Sequence, residues 1–456
     1  MNPLYGHAAG YNRGIMDYAQ AIEYLLSFAD FERGGRFQER PNVGPTLALL
    51  RRLGDPHLGR PTVHVAGSKG KGSTAAMVES ILRAGGYRTG LYTSPHLHSY
   101  CERVRLDGKP IGQAQFARLV EQVRQAVEAR GENWGERRLV AFDLLTAVGF
   151  LAFRKEAVRV QVVEVGLGGR LDSTNVFARK EVAVITPISL EHTAILGETA
   201  EAIAAEKAAI ITPGSAAVVA PQPHAGAAVV ICRAAENVGA EIVDVAEEYR
   251  WRRVPLGIEG QEVHIERQGL AVSARLPLIG AHQAENAVVA VAAVLALGER
   301  GYAVPPEALE RGLRQVRWPV RLEVLRRRPL VLADGAHNRD SARRVRQALA
   351  EDLGVTQVTF VVGASADKDV TGLAEELAPL AERVWAVRAR HPRALEPEAI
   401  AAAFAGVGVP VAVGDDVGQA VEEAMAASGR DGVICLLGSL FVAAEGRAHL
   451  TSKGRR

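Results

Sequence analysis

Between Thr62 and Thr74 the chain reads Thr-Val-His-Val-Ala-Gly-Ser-Lys-Gly-Lys-Gly-Ser-Thr, a β-branched run that gives way to glycines, lysines and hydroxyls before a helical stretch. Glycines let successive backbone N–H groups converge on phosphate oxygens, the helix start adds the positive end of its dipole, and Lys71 reaches the terminal phosphates as a point charge. This is chemistry for a nucleoside triphosphate, with Gly67, Ser68, Lys69, Gly70, Lys71, Gly72 and Ser73 forming the cradle. The strict GxxxxGK[ST] pattern is not met: Val65 stands at its first glycine, and Gly72 separates Lys71 from Ser73. A second cluster, Gly166-Leu167-Gly168-Gly169, fails as a dinucleotide fingerprint because Leu171 stands where the third glycine belongs.

Cleaving a triphosphate calls for Mg²⁺, which takes oxygen ligands and keeps several waters. Ser94, Glu164 and His192 follow or end three expected strands, and in an open α/β sheet such ends face one crevice. Taken singly, each has an ordinary explanation as a turn cap, a surface ion pair or a hydrogen-bonded loop residue. On residue type alone, Lys207 is an exposed helix lysine.

The elements that must position these groups alternate between short apolar strands and helices, the mark of βαβ units around a parallel sheet. Strands are expected at 62–66, 89–92, 160–165, 182–186 and 217–220, with helices at 74–84, 113–129, 142–153 and 200–211. Residues 251–278 alternate apolar and polar without a helical period, as an antiparallel hairpin set does. After a helix over 282–297 the βαβ rhythm restarts, with strands at 330–333, 357–362, 383–387, 410–413 and 433–437. Trp318-Pro319 is expected to interrupt a helix and mark a hinge at 317–320. That divides the chain into an ATP-binding domain, 1–316, and a second α/β domain, 321–456.

Bulk properties agree. The chain has 456 residues, 48% hydrophobic and 23% charged, with 46 glycines, the profile of a two-domain soluble α/β enzyme. Its 54 basic and 52 acidic side chains leave a net charge of +2, which excludes a global field that collects nucleic acid or membrane. Cys101, Cys232 and Cys435 are too few and too scattered for a disulfide framework or a metal cluster and read as reduced thiols of a cytoplasmic protein. The longest apolar stretch, near 287–297, is shorter than a bilayer span. Residues 1–15 read as a ragged extension before the helical pattern that opens at Met16, and the basic tail Lys453–Arg456 as a solvated end.

Together these motifs resemble the folylpolyglutamate and dihydrofolate synthase family, within the wider Mur ligase group of ATP-dependent amide ligases. The resemblance runs from Ile22 onward. It rests on the phosphate loop with Gly72, on Thr93-Ser94-Pro95-His96, on the run from Glu164 to Asn175, on Thr186 to Thr193, and on Glu206-Lys207-Ala208-Ala209-Ile210. His282-Gln283-Ala284-Glu285-Asn286-Ala287, Asp334-Gly335-Ala336-His337-Asn338 and Gly438-Ser439-Leu440 continue it in order. The resemblance implies a P-loop central domain with a mostly parallel sheet and a small antiparallel sheet, joined to a Rossmann-like C-terminal domain. It implies a monomeric ligase that adds L-glutamate to a folate-type carboxylate through an acyl phosphate, without nucleic acid or membrane partners.

By the same resemblance, Ser94 and Glu164 hold a Mg²⁺, His192 a second metal, and Lys207 is carbamylated to support it. Gln283 and Asn286 face the adenine side of ATP. Arg321, Asp334 and His337 reach across from the second domain to the phosphates and acyl centre, with Ser439 beside them, and K⁺ is an implied activator. Three departures stand out: Lys69 replaces a common asparagine, Glu191 a common aspartate, and Val320 the usual glycine before the arginine. The Arg-rich segment Phe28–Asn42 assigns no pterin pocket. A cell-wall precursor ligase of the same superfamily and a P-loop switch ATPase are the alternatives. The first usually carries an added N-terminal domain, for which the residues before Thr62 leave no room; the second has no need of Asp334-Gly335-Ala336-His337-Asn338.

Overall fold

The computed structural model describes residues 16–30, 42–129 and 138–453. The expectations for residues 1–15, for most of the Arg-rich segment and for the end of the basic tail therefore fall outside the described residues.

Apolar β-branched segments buried on both faces build an eight-stranded sheet. Its order is Lys109–Pro110, Val104–Leu106, Thr89–Tyr92, Val160–Glu164, Thr62–Ala66, Val182–Ile185, Ala216–Val219 and Glu241–Asp244. The six strands from Thr89–Tyr92 to Glu241–Asp244 run parallel, and the short pair at the other edge is antiparallel. Thr62–Ala66 lies between Val160–Glu164 and Val182–Ile185, so the loops after these three strands open into one crevice.

The alternating segment forms a separate three-stranded antiparallel sheet of Arg250–Pro255, Gln261–Arg267 and Leu270–Leu276. Its inner face shares a core with the helices Lys71–Ala84 and Ala281–Leu297. The second of these extends through a π-type turn to Tyr302, and the 22-residue stretch is long and apolar enough to cross a membrane. The expected stretch was too short; its apolarity serves the core, where most of it is buried.

The second domain is a six-stranded sheet in the order Glu323–Arg327, Leu330–Ala333, Val433–Leu437, Val358–Val362, Ala381–Ala386 and Val411–Val413, parallel except for its first strand. The local structure before Pro319 differs from expectation. Trp318-Pro319 interrupts no helix: Pro306–Gln315 ends earlier, with Val316 already extended at ψ 138°. Proline disfavours helical backbone in the residue before it, and the chain crosses between lobes as an irregular segment.

Candidate functional site

The cradle begins where Thr62–Ala66 ends. Gly70, at φ +86°, caps the helix Lys71–Ala84, a conformation that glycine reaches without steric cost. A Cβ there would run into Asn286 Oδ1, so the start of Ala281–Leu297 is pressed against the loop. Asn286 donates to Gln283 Oε1 at 3.2 Å, and both side chains are buried. The Ser68 and Lys69 N–H groups donate to Pro187 O at 3.1 and 3.2 Å. These two amides are engaged by protein, and the first-turn N–H groups of the helix, which lack intrahelical acceptors, remain for a ligand.

Lysines converge on this loop. Lys71 Nζ and Lys207 Nζ each donate to Gly67 O at 2.9 Å. Lys207 Nζ also lies 3.0 Å from Glu191 Oε1, and Lys69 Nζ 3.5 Å from Glu191 Oε2. Burial opposes the charge of Glu191, but Lys71, Lys207 and Lys69 together hold its carboxyl at about 2. For Lys207, 1% exposed, burial wins and with Lys71 beside it brings the ammonium down to about 8 despite Glu191. Three ammoniums against one carboxylate leave an excess of positive charge at the cleft wall, suited to a polyphosphate.

Glu164 ends its strand 5% exposed, and its Oε2 accepts the Ser94 N–H at 3.2 Å. Burial pushes it up to about 7 against the attraction of Lys71 and Arg321. A cation would relieve that penalty, and a carboxylate with the neighbouring Ser94 hydroxyl is the hard-oxygen donor set that Mg²⁺ takes. Among the described residues no group of three His, Cys, Asp or Glu side chains is arranged to hold a metal, so water and phosphate oxygens would complete such a shell. A second cation does not fit at His192 while Lys207 is an ammonium. His192, at φ +48°, keeps solvent access at the edge of the cleft, and desolvation by the protein around it, with Lys368, Lys71 and Lys207, lowers its basicity against Glu191.

Beneath the glycine cluster, Asp172 accepts the Leu167 N–H at 2.9 Å and Thr174 joins it to His64, whose other nitrogen faces Lys180 at 2.8 Å. This buried chain fixes the loop over which Gly169 packs closely on Lys207.

The second lobe supplies the opposite wall. Arg321 acts electrostatically on Glu164 across the crevice. Asp334 is buried and spends both oxygens on backbone, accepting Leu322 N–H at 2.9 Å and Ala336 N–H at 2.7 Å. It is a loop brace in this geometry. His337 Nδ1 faces Gly335 O at 2.9 Å, and burial with Lys69 and Lys368 nearby lowers it to about 4, so the imidazole is neutral. Ser439 is buried, accepts the Val442 N–H at 3.1 Å and lines the same cavity.

That cavity holds about 1870 Å³, well above the roughly 300–1,000 Å³ of a typical single-ligand pocket, and has room for several substrates. One arm is lined by Tyr24, Phe28, Leu139, Phe142 and Leu171; the second lobe contributes Arg344, Lys368 and Arg393. None of these eight was given a role in the site from the sequence, and neither was Glu191 as counterion. Loop position after Val358–Val362 was the one available signal for Lys368.

The Mur ligase middle domain matches residues 65–294, and the Mur ligase glutamate ligase domain matches residues 320–440. A probable bifunctional folylpolyglutamate synthase/dihydropteroate synthase of Halobacterium salinarum is 36% identical over 445 residues, 96% of this chain and 52% of that protein; the chain thus spans about half the length of that relative. The dihydrofolate synthase/folylpolyglutamate synthase of Mycobacterium tuberculosis is 37% identical over 403 residues, 84% of this chain and 80% of that protein. The structure of Mycobacterium tuberculosis folylpolyglutamate synthase complexed with ADP superposes with a TM-score of 0.87 at 33% identity, covering 95% of this chain and 98% of that one. Two lobes closing on one lysine-rich cradle, in the order of domains that these proteins share, place the chain in the folylpolyglutamate synthase family of the Mur ligase superfamily.

Proposed function

We propose that this chain is an ATP-dependent ligase that joins L-glutamate to a folate-type carboxylate, dihydropteroate, a reduced folate or both, through an acyl phosphate. The observation that carries the reading is the cluster of Lys69, Lys71 and Lys207 about Glu191 at the mouth of a cavity walled by both lobes. ADP in the Mycobacterium tuberculosis structure and the names of the relatives support it.

In this reading the apolar arm around Phe28 and Phe142 takes the pterin, and its carboxylate faces the γ-phosphate above Lys71. The carboxylate oxygen attacks the γ-phosphorus and ADP leaves. Lys71 follows the charge of the transferred phosphoryl group, as a preorganised donor in a dry site does. Mg²⁺ on Glu164 and Ser94 would supply further neutralisation of the phosphate oxygens. Lys368, Arg344 and Arg393 orient the carboxylates of glutamate, whose amine attacks the acyl carbon and expels phosphate. The amine attacks as the free base and the proton lost on forming the amide leaves with the phosphate; His337, kept neutral, adds no charge of its own beside them. Enclosure between the lobes excludes water that would hydrolyse the acyl phosphate.

Carbamylation of Lys207 would replace its ammonium by an anion and make the His192 side suitable for a second cation; K⁺ activation, a monomeric state and a cytoplasmic location belong to the same reading. The test is mass spectrometry of products from dihydropteroate and tetrahydrofolate, offered separately with glutamate and ATP. A glutamate adduct from at least one is expected, with Lys71→Ala slower by about 10²–10³-fold. ATP turnover indifferent to both acids and to glutamate defeats the reading.

A further inference from the structure

Arg321 is flanked by two residues in a conformation that L-residues avoid. Val320 has φ +51° and Leu322 φ +46°. A β-branched residue in that region is a marked outlier, because its Cβ crowds the neighbouring carbonyl. Both side chains are 1% exposed, so neither can turn outward. Such backbone persists only where its surroundings over-determine it, and here the surroundings can be named.

The Val320 N–H donates to Glu323 Oε2 at 3.0 Å, and Val320 O accepts the Gly335 N–H at 3.0 Å. The Leu322 N–H is held by Asp334. Glu323 is in turn fixed by Arg447, whose Nε lies 3.0 and 2.9 Å from its two oxygens. The kink folds the Arg321 side chain back, so that Nη1 donates to Val320 O at 2.9 Å and packs where a Cβ on Gly335 would fall. In that pose the guanidinium acts on Glu164, Asp334 and His282, which lie on three different elements around the cavity.

We propose that the Arg447–Glu323 ion pair is a positioning brace that holds residues 320–322 left-handed and thereby aims Arg321 at the phosphate cradle. The brace lies where the lobes meet. Arg447 and Glu323 both act on His98 of the first lobe, and Leu97 packs on the second-lobe core beside Val320. His98 and Leu97 belong to the loop that carries Ser94, so the same contact registers Arg321 against the Ser94–Glu164 corner. Without the brace, Val320 relaxes to negative φ and the guanidinium leaves that corner.

The assay for this inference rests on the ligase reading, and ADP binding supplies a readout that does not. Glu323→Ala is made in two backgrounds, the native chain and Val320→Gly. In the native background kcat/KM for ATP should fall by roughly tenfold or more; with Val320→Gly the same substitution should cost less than about twofold, since glycine takes positive φ unaided. Arg447→Met should show the same dependence on background, and calorimetric titration with ADP should repeat the pattern. Val320→Asn, which also tolerates left-handed backbone, replaces Val320→Gly if the latter does not fold. Equal losses in both backgrounds, or a lowered Tm with kcat/KM and ADP affinity unchanged, overturn the brace. A parent protein without glutamate ligation defeats the ligase reading alone, and the ADP comparison then still decides the brace.

Discussion

Lys207 Nζ lies 3.0 Å from Glu191 Oε1 while it also donates to the carbonyl of Gly67, so one buried ammonium ties the strand-end loop after Val182–Ile185 to the root of the phosphate cradle. Burial and the neighbouring Lys71 bring that ammonium to about 8, from an ordinary 10.5. The neutral amine, the form that reacts with CO₂, therefore becomes abundant as pH rises through about 8, well below where a free lysine loses its proton.

If Lys207 is carbamylated in the working enzyme, bicarbonate should raise activity, and the stimulation should grow as pH rises through about 8. Lys207→Ala should lose most activity and recover part of it with formate or acetate. Protein stripped of CO₂ that works at the unmodified rate would rule the carbamate out.

Glu164 makes the opposite demand. Its folded value, about 7, stands above the ordinary 4.5. A carboxyl raised in this way stabilises the fold while protonated, and the contribution is lost as pH rises from about 4.5 through 7. By linkage the change is on the order of 3 kcal/mol. Glu164→Gln should thus melt higher than the parent near pH 8 without ligands, match it near pH 5, and lose most Mg²⁺-dependent turnover. Melting curves across that range decide it, and a variant less stable at high pH would contradict the assignment of burial as the cause.

Gly72 faces Trp318, on the segment that crosses between the lobes. A Cβ there would stand 3.0 Å from Trp318 Cζ2, 3.3 Å from its Nε1 and 3.4 Å from Glu164 Oε1, so the gap left by one hydrogen accommodates both. Trp318 is also held by the Arg105 guanidinium 5.4 Å over its ring. Gly72→Ala should displace the indole by a few tenths of an ångström and slow turnover by about tenfold, in keeping with the steep cost of misplacing reacting groups. Trp318→Phe should restore part of the loss; a double variant slower than Gly72→Ala alone would refute the steric account.

What could be read from sequence followed from local rules. Thr62–Ala66, Thr89–Tyr92, Leu330–Ala333 and Val433–Leu437 have the bounds expected from their apolar runs, because a strand buried on both faces carries its signal in every residue. The cradle was legible because glycine is required where φ is positive. Glu191, Lys368 and Arg344 were not, since each acquires its role from packing between segments far apart in the chain. The helix interruption expected at Trp318-Pro319 was misread because Pro319 announces a break without saying where the preceding helix ends. The left-handed backbone at Val320 and Leu322 left no local signal, as neither residue type favours it.

One buried ion pair adds to the apolar contacts that join the lobes. Arg253, on the small antiparallel sheet, donates to Asp352 of the second lobe at 2.7 Å, with side-chain exposures of 16% and 2%. Arg327 and Glu259 join the same two bodies at 2.6 Å, but with exposures of 64% and 46%. A solvated pair contributes little, whereas removing one partner of a buried pair costs about 3–5 kcal/mol because the other charge is left uncompensated. Asp352→Ala should therefore loosen lobe docking. The expected signs are a larger radius of gyration by small-angle scattering without nucleotide, partial recovery with ADP, and a raised KM for glutamate. Arg327→Gln should leave scattering and KM as they are. If the two variants behave alike, burial of Asp352 is not what holds the cleft closed.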